Sequence, residues 1–600
     1  MTPFVLGISF GFHDASAAIV SSEGVIAFAA EERLSRQKHD SSFPRLAVDE
    51  CLRQAGLSLN DMARVAYHER PEPAFTRVLT SALAGFPRSS REFSASMRAW
   101  LSNKLWVRTE IEKRIPSQKV STIDLFPHHD CHAAQSFFTS GYDESAILTL
   151  DAVGEWTSTG IFHGRDSKLQ SLKSVKFPHS LGLFYSAMTA YLGFVPMDGE
   201  CSTMALAAFG KPTYTELFRR ILKFTPEGFH VDQSYFQFVE FYQQPFTKKL
   251  TKILGHPRSQ FEKLNFSSWG NVAISDDEQR FADIAASVQS IYEEAVLHLA
   301  TLAKRLSGST QLCLSGGGAL NSVAVRKLAD AKIFDDIYIP PDPGDGGAAA
   351  GAALLSLAKE FSIEPTSSWR PSIGSHVQSK ELGFVKQVRT EHAGRYSKLG
   401  LKPIAFEIEE IDVNHNDILA REVAKLIVSG KIVGWCQGRF EAGPRALGSR
   451  SILIRPDNID LAKRLSNNVK SRAAFRPYAL SIIESDAERV LQNYNPKLRP
   501  YHWMQIVDTV NPQCVDQLHA GLHIDGTTRP QVVFQSEAPR YHLLLTEVQK
   551  WLGIGAVINT SFNESGYPIV NTAIEAMAIF LRSGMDALVV ENKIYLKNTK

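Results

Sequence analysis

His128 and His132 stand four residues apart in the stretch PHHDCHAAQSFFTSGYDESAILTLDAVGEWTSTG, from Pro127 to Gly160, and no other stretch constrains the fold as strongly. Residues four apart share one face of a helix, and the small residues Ala133 and Ala134 continue it. The run Ala146-Ile-Leu-Thr-Leu150 is short, apolar and rich in strand formers, and it ends on Asp151. A strand ending in Asp beside a helix carrying His-x-x-x-His supplies three ligands for a divalent metal. Mixed nitrogen and oxygen ligands suit Fe(II), Zn or Mn better than Mg or Ca. The competing reading is that the histidines cap or line a buried helix. Cys131, between them, reads as a small buried residue before it reads as a ligand.

The surrounding plan occurs twice. Phe4 to Phe10 is an apolar strand, Gly11-Phe12-His13-Asp14 a turn, and Ala15 to Val20 a second strand. Ser22-Glu23-Gly24 is another turn, and Val25 to Ala30 a third strand. Tight turns between short apolar runs make an antiparallel meander. Residues 146–163 repeat it as the strand ILTLD, the polar turn AVGEW and the strand STGIFHG. Two such copies point to a duplicated α/β domain, with its ligand in the cleft where strand ends and turns converge.

Residues 75–120 are helical in pattern and basic in places, and residues 225–280 are aromatic and irregular, ending in a helix through Glu278 to Leu306. Both stretches are candidates for the walls of an acceptor pocket, because loops on a rigid scaffold carry specificity. Gln311-Leu-Cys-Leu314 is a strand, followed by Ser315-Gly-Gly-Gly318 and a helix from about Ala319. Such a turn lets backbone approach phosphate or ribose at a helix N-terminus, although a plain strand-to-helix turn looks the same. It is not a Walker A loop, since no Gly-Lys-Ser/Thr follows. A second glycine turn leads through Asp345 into an alanine-rich helix, so Asp345 is either a fourth metal ligand or a helix cap, and both can hold.

Pro365, Pro371 and the polar runs after them keep no sustained period and mark an inter-domain crossing at 366–403, between a first domain of 1–365 and a second of 404–600. The second domain gathers cations beside glycine turns. Arg445 and Arg450 lie in GPRALGSR after the strand Ile432 to Cys436, and Lys470, Arg472 and Arg476 crowd into KSRAAFRP. Arg529 closes DGTTR, and Ser561 and Asn563 lie in NTSFN. Cations among Gly, Pro and Phe fit a lined pocket for a triphosphate, and Ser and Asn fit ribose or phosphate.

Charge and cysteine content narrow the setting. A net charge of +2 argues against a nucleic-acid groove or a membrane surface. The cysteines at 51, 131, 201, 313, 436 and 514 form no CxxC pair, which suits a reducing compartment. The N-terminus MTPFVLGISFGFHD lacks the pattern of a signal peptide, and no apolar run reaches the roughly eighteen residues of a membrane span. A cytoplasmic, soluble enzyme is expected.

Taken in order, GFHDASAAI, EERLSRQKHDSSFP, HHDCHA, GPRALGSRSIL, KSRAAFRP, DGTTR and TSFNESGYPIV resemble the O-carbamoyltransferases of the nodulation-protein-U and cephamycin type, over nearly the whole chain. The resemblance implies an N-terminal part that is a duplicated actin-like fold similar to the tRNA threonylcarbamoyl transferase TsaD. It implies a C-terminal α/β part similar to the YrdC-like threonylcarbamoyl-AMP synthases. The C-terminal part would form carbamoyl-adenylate from carbamoyl phosphate and ATP. The N-terminal part would move the carbamoyl group to a hydroxyl of a small-molecule alcohol, releasing AMP, in secondary metabolism such as antibiotic or toxin biosynthesis.

By motif match, the resemblance makes His128, His132, Asp151 and Asp345 ligands of Fe(II) or another divalent metal. It makes His13 the base that takes the acceptor proton, a task suited to imidazole at neutral pH. Gly316, Gly317, Gly318 and Asn321 would hold AMP in the transfer site. Arg445, Lys470, Arg476, Arg529, Ser561 and Asn563 would hold ATP, with Mg, and carbamoyl phosphate. One departure stands out: Cys201, Ser202 and Thr203 occupy the place of the family's usual lysine in GECSTMALAAFG. No nucleic-acid or membrane partner is expected, and a homodimer is left open. The competing functions are an actin-like small-molecule kinase or ATPase and a non-catalytic metal- or nucleotide-binding regulator.

Overall fold

The computed structural model describes residues 3–86, 90–102, 104–115, 122–238, 244–270, 272–363, 369–382 and 406–599. The chain forms two compact units. The first comprises Met1–Glu31, His39–Arg370 and Pro496–Pro500; the second comprises Glu32–Lys38, Pro371–Asn495 and Tyr501–Lys600.

The first unit is built on two five-stranded sheets. β1 (Phe4–Ser9), β2 (Ser16–Ser21) and β3 (Gly24–Ala30) form the expected meander, and β4 (Met62–Tyr67) and β5 (Ile123–Leu125) extend it. β6 (Glu144–Leu150), β7 (Thr157–Arg165) and β8 (Lys168–Lys176) form the second meander. The hairpin of β9 (Leu222–Thr225) and β10 (Gly228–Val231) intervenes before β11 (Gln311–Ser315) and β12 (Asp336–Tyr338) complete the second sheet.

The two sheets have matching orders, β3-β2-β1-β4-β5 and β8-β7-β6-β11-β12. In each, the first three strands pair antiparallel and the last two join the first in parallel. This repeated order is the expected duplicated α/β arrangement. Each copy ends in a helix that follows its fifth strand, His128–Phe138 in the first and Asp345–Phe361 in the second. The Asp345–Phe361 helix covers β1 and β2, the His128–Phe138 helix covers β6 and β11, and the two helices pack against each other.

Their composition explains the closeness. All of Asp345–Ala358 is buried, and after Asp345 its early turns carry only Gly and Ala. A Cβ at Gly351 would stand 2.0 Å from the Cys131 carbonyl oxygen, so a larger residue must push the helices apart. Gly351→Ala is therefore expected to destabilise the unit by about 1–3 kcal/mol, read as a lower urea midpoint, as overpacking of a dense core does. An unchanged midpoint would show that the helices part at no cost.

The stretch 75–120 contains the helices Pro71–Ala84, Ser90–Ser102 and Val107–Arg114, as its pattern predicts; residues 87–89, 103 and 116–121 lie outside the described residues. The helix expected through 278–306 runs Asp276–Ser307, with Ser275 and Glu278 forming a reciprocal cap. One expectation shifts. A short 3₁₀ turn, Gly317–Leu320, precedes the helix predicted from Ala319, which begins at Ser322 because Asn321 caps it. Within 366–403, residues 366–368 and 383–403 lie outside the described residues, while Ser372–His376 forms β13.

The second unit is also mixed α/β. Its main strands are β14 (Phe406–Asp412), β15 (Val433–Cys436), β17 (Arg450–Ile454), β18 (Ala479–Ile483), β21 (Pro530–Val533), β22 (Ala556–Ser561), β23 (Ala587–Val590) and β24 (Lys593–Thr599). They form one eight-stranded sheet in the order β14-β24-β23-β15-β17-β22-β18-β21. β16 (Arg439–Glu441) pairs with β13, and β19 (Asp508–Thr509) with β20 (Thr527–Thr528). The helices Asn416–Val428 and Pro539–Leu552 set Val423, Ile427, Leu544 and Val548 against Val433, Trp435, Val557 and Val589 of the sheet, forming a closed apolar core. No helix among the described residues is long and apolar enough to cross a membrane.

Candidate active site

The duplication puts chemistry-bearing residues at one end of the first unit. His13 follows β1 and Asp151 follows β6, while His128 and Asp345 are the first residues of the two terminal helices. His132 lies one turn into the first of these helices. Ligand atoms of His128, His132, Asp151 and Asp345 all lie within 4.8 Å of one another.

His128 Nε2 stands 3.2 Å from Asp151 Oδ2, 3.5 Å from Asp345 Oδ1 and 3.0 Å from His132 Nε2, and His132 Nε2 is 3.4 Å from Asp345 Oδ1. Ligands about 2.0–2.2 Å from a tetrahedral ion stand roughly 3.3–3.6 Å apart, close to these spacings. Two imidazole nitrogens and two carboxylates turned on one buried point form the donor set of a first-row divalent ion, and the residues present fit one.

Without an ion, the cluster's own acids and bases pair with one another. Burial alone would protonate Asp345, but the imidazoles of His13 and His128 hold its carboxyl well below the usual range. Burial likewise disfavours charge on His128, and Asp345 with Asp151 overrides it, raising that imidazole well above its ordinary value.

The turn after β1 presents His13. Its Nδ1 lies 2.9 Å from Asp14 Oδ2 and its Nε2 3.5 Å from Asp345 Oδ2. Asp14 adopts φ +52°, a left-handed conformation that Asp tolerates better than most residues, and its other oxygen lies 2.8 Å from His39 Nδ1. Burial opposes charge on His13, but Asp345 and Asp14 raise it to about 9. A cation on Asp345 and Asp151 would oppose that rise.

At Asp151, the Gly317 N–H donates to Oδ1 at 3.2 Å. Gly316 has φ +86°, and a Cβ there would meet the Leu150 carbonyl oxygen at 2.2 Å, so this turn requires glycine. The Gly318 carbonyl accepts from the Tyr292 hydroxyl at 3.0 Å. Asn321, expected to hold AMP, has its side chain engaged elsewhere. Its oxygen accepts from the Ala324 N–H and its amide pairs with Gln289, which makes it the cap of the following helix.

In the second unit, the helix Ile459–Leu465 passes into a π-type turn, Ser466–Lys470, of the sort often found at functional sites. Lys470 ends it, buried, and donates to Ser561 O at 2.7 Å, Ser561 Oγ at 3.2 Å, Asn563 O at 2.9 Å and Asn563 Oδ1 at 2.6 Å. These acceptors are neutral oxygens. Burial, then Arg472 and Arg476, push the Lys470 ammonium well below its ordinary value, so the place favours an incoming anion.

Arg445 and Arg529 belong to neighbouring segments. Ala446 O accepts from Asn559 Nδ2 at 3.1 Å, and Leu447 O accepts from Gln531 Nε2 at 2.8 Å. Arg445, Arg476 and Arg529 are each partly exposed. Arg450 is different: fully buried, it donates to the carbonyls of Gln437, Gly438, Ser449, Ser375 and Asn571 and serves as a strut.

Three participants were not picked out by sequence reasoning. Glu155, in the AVGEW turn, accepts from the His128 N–H at 3.1 Å and the Arg70 N–H at 2.9 Å, fastening the start of the histidine helix. Asp14 orients His13. His68, one residue past β4, lies with Nδ1 3.2 Å from His128 Nδ1; burial, then His128, pushes it down to about 3. The available signal was position: like His13, it is a polar residue just after an apolar strand. At the place of the missing lysine, Thr203 is buried and bonds Thr189 Oγ1 at 2.9 Å.

Comparison with known proteins follows the same division. A family model described as the carbamoyltransferase N-terminus matches residues 4–354, and one described as the carbamoyltransferase C-terminus matches residues 424–597. An uncharacterized protein of Synechocystis is 36% identical, covering 99% of this chain and 97% of its own. Nodulation protein NolNO of Sinorhizobium fredii is 29% identical over 98% of this chain and 79% of its own. Nodulation protein NolO of Bradyrhizobium diazoefficiens is 30% identical over 77% of each chain.

Proposed function

The chain belongs to the carbamoyltransferase family, and from that premise we propose that it is an ATP-dependent O-carbamoyltransferase acting in two steps. In the second unit, water releases carbamate and phosphate from carbamoyl phosphate. A carbamate oxygen then displaces pyrophosphate from the α-phosphorus of ATP, giving carbamoyl-adenylate. In the first unit, the acceptor hydroxyl attacks the carbamoyl carbon, AMP leaves, and the hydroxyl proton goes to His13 Nε2.

The observation that carries the adenylation step is Lys470, a buried amine with neutral acceptors, on which burial and then Arg472 and Arg476 disfavour charge until an anion joins it. Such a place suits phosphate groups on which charge builds during transfer. Arg445, Arg476 and Arg529 are assigned to the same substrates, with Ser561 and Asn563 orienting Lys470, and Mg accompanying ATP.

For transfer, His128, His132, Asp151 and Asp345 would hold Fe(II) or another first-row divalent ion. When bound, that ion supplies Lewis-acid polarisation of an oxygen of the carbamoyl donor. Gly316–Gly318 offers backbone to AMP, and Asp14 keeps the His13 Nδ1 occupied so that Nε2 faces the acceptor. Phe12 is 44% exposed beside the His13 ring, 4.7 Å between centroids, and gives a small-molecule alcohol an apolar face to lie on.

The test is a product assay with ATP, Mg and carbamoyl phosphate, with and without a panel of natural-product alcohols. The expected result is pyrophosphate that depends on carbamoyl phosphate, with AMP and a mass gain of one carbamoyl group on one alcohol. ADP formed regardless of carbamoyl phosphate would replace this reading with a kinase.

A further inference from the structure

We propose that His68 is a positioning residue that fixes the tautomer and ring orientation of His128, through a hydrogen-bond relay ending on the Phe10 carbonyl. The inference rests on reading the four-residue cluster as a metal centre. His68 is 3% exposed, and its ring centroid lies 5.4 Å from that of His128, with the planes at 64°. The two Nδ1 atoms face each other at 3.2 Å. Two like nitrogens at that distance share one proton, so one donates and the other accepts.

His128 turns Nε2 to Asp151, Asp345 and His132. A ligand lone pair there requires the proton on Nδ1, so His128 donates and His68 accepts. The His68 proton then belongs on Nε2, which faces the Phe10 carbonyl oxygen at 3.5 Å. That carbonyl also accepts from the Tyr67 hydroxyl at 2.9 Å, so its position is held. Each tautomer in the chain follows from the next. His132 has no such support: its Nδ1 is buried without a hydrogen-bond partner among the described residues. Phe10 directly precedes the turn carrying His13, so His68 joins the ligand helix to that turn.

Partners of this kind raise ligand basicity and typically change metal affinity about 10–100-fold. The test titrates the full metal-free chain with Co(II) alone, comparing His68→Asn with His68→Phe. Asparagine keeps an acceptor near the place of Nδ1, while phenylalanine keeps the ring and loses it. His68→Asn should bind within about threefold of the unsubstituted chain, and His68→Phe about 10–100-fold more weakly, with shifted Co(II) absorption bands. Equal weakening in both variants would make His68 a packing residue, and no weakening in either would make it a bystander; each overturns the inference. Should His68→Phe fail to fold by circular dichroism, His68→Leu makes the same comparison. An unsubstituted chain that takes up no Co(II), or a His128→Ala variant that takes it up undiminished, overturns the metal centre itself and the inference with it.

Discussion

Replacing His13 with asparagine is expected to lower carbamoyl transfer by about 10²–10⁴-fold while leaving the first-turnover burst of pyrophosphate within about threefold, the range seen when a general base is removed. The separation follows from position. His13 belongs to the turn after β1 in the first unit, with Nδ1 on Asp14 and Nε2 toward Asp345. Lys470 and its acceptors belong to the second unit, where the adenylate is proposed to form. Rapid quench with separate measurement of pyrophosphate and carbamoylated product checks this. A parallel loss of both would mean that His13 supports the whole molecule rather than the transfer step.

The second large effect is expected at Lys470. Lys470→Met should lower pyrophosphate formation by about 10²–10³-fold, the scale of one preorganised donor removed from a site of developing charge. Lys470→Arg should lose nearly as much, because a planar guanidinium cannot reproduce the contacts of an ammonium to four oxygens on two residues. Co(II) uptake by the first unit should stay unchanged in both variants, which separates a local loss from unfolding. Activity within about fivefold of the unsubstituted chain would make Lys470 a structural tie between Ser561 and Asn563, since buried amines often serve only to satisfy neighbouring oxygens.

The cluster of His128, His132, Asp151 and Asp345 was legible in the sequence where its signals are local. His128 and His132 announce a shared helical face by spacing, and Asp151 closes an apolar run read as a strand. Asp345, after a glycine turn and at the head of an alanine-rich helix, stayed open between ligand and cap on local signals, and the family resemblance made it a ligand. His68 was not legible, since its place beside His128 depends on β4 pairing in parallel with β1, which brings the ends of strands far apart in sequence together. Asn321 carries two local signals at once. The glycine turn suggested nucleotide contact, but an Asn just before Ser322 is also a helix cap, and Gln289 from a distant helix completes its bonding. Arg450 shows what charge counting misses. It sits in the same motif as Arg445, yet the sheet buries it against five carbonyls while Arg445 stays partly exposed.

The first residues of the two terminal helices, His128 and Asp345, occupy corresponding places in the two copies of the sheet-and-helix plan. Two identical half-length chains pairing about a twofold axis would have to put the same side chain at both places. They could offer the centre two imidazoles or two carboxylates there, never one of each. A single continuous polypeptide escapes that restriction, because its halves can diverge while remaining folded against each other. The unequal pairing of nitrogen with oxygen at these corresponding places is thus a property that two identical halves could not supply, and it follows from halves that have diverged in sequence while keeping one plan.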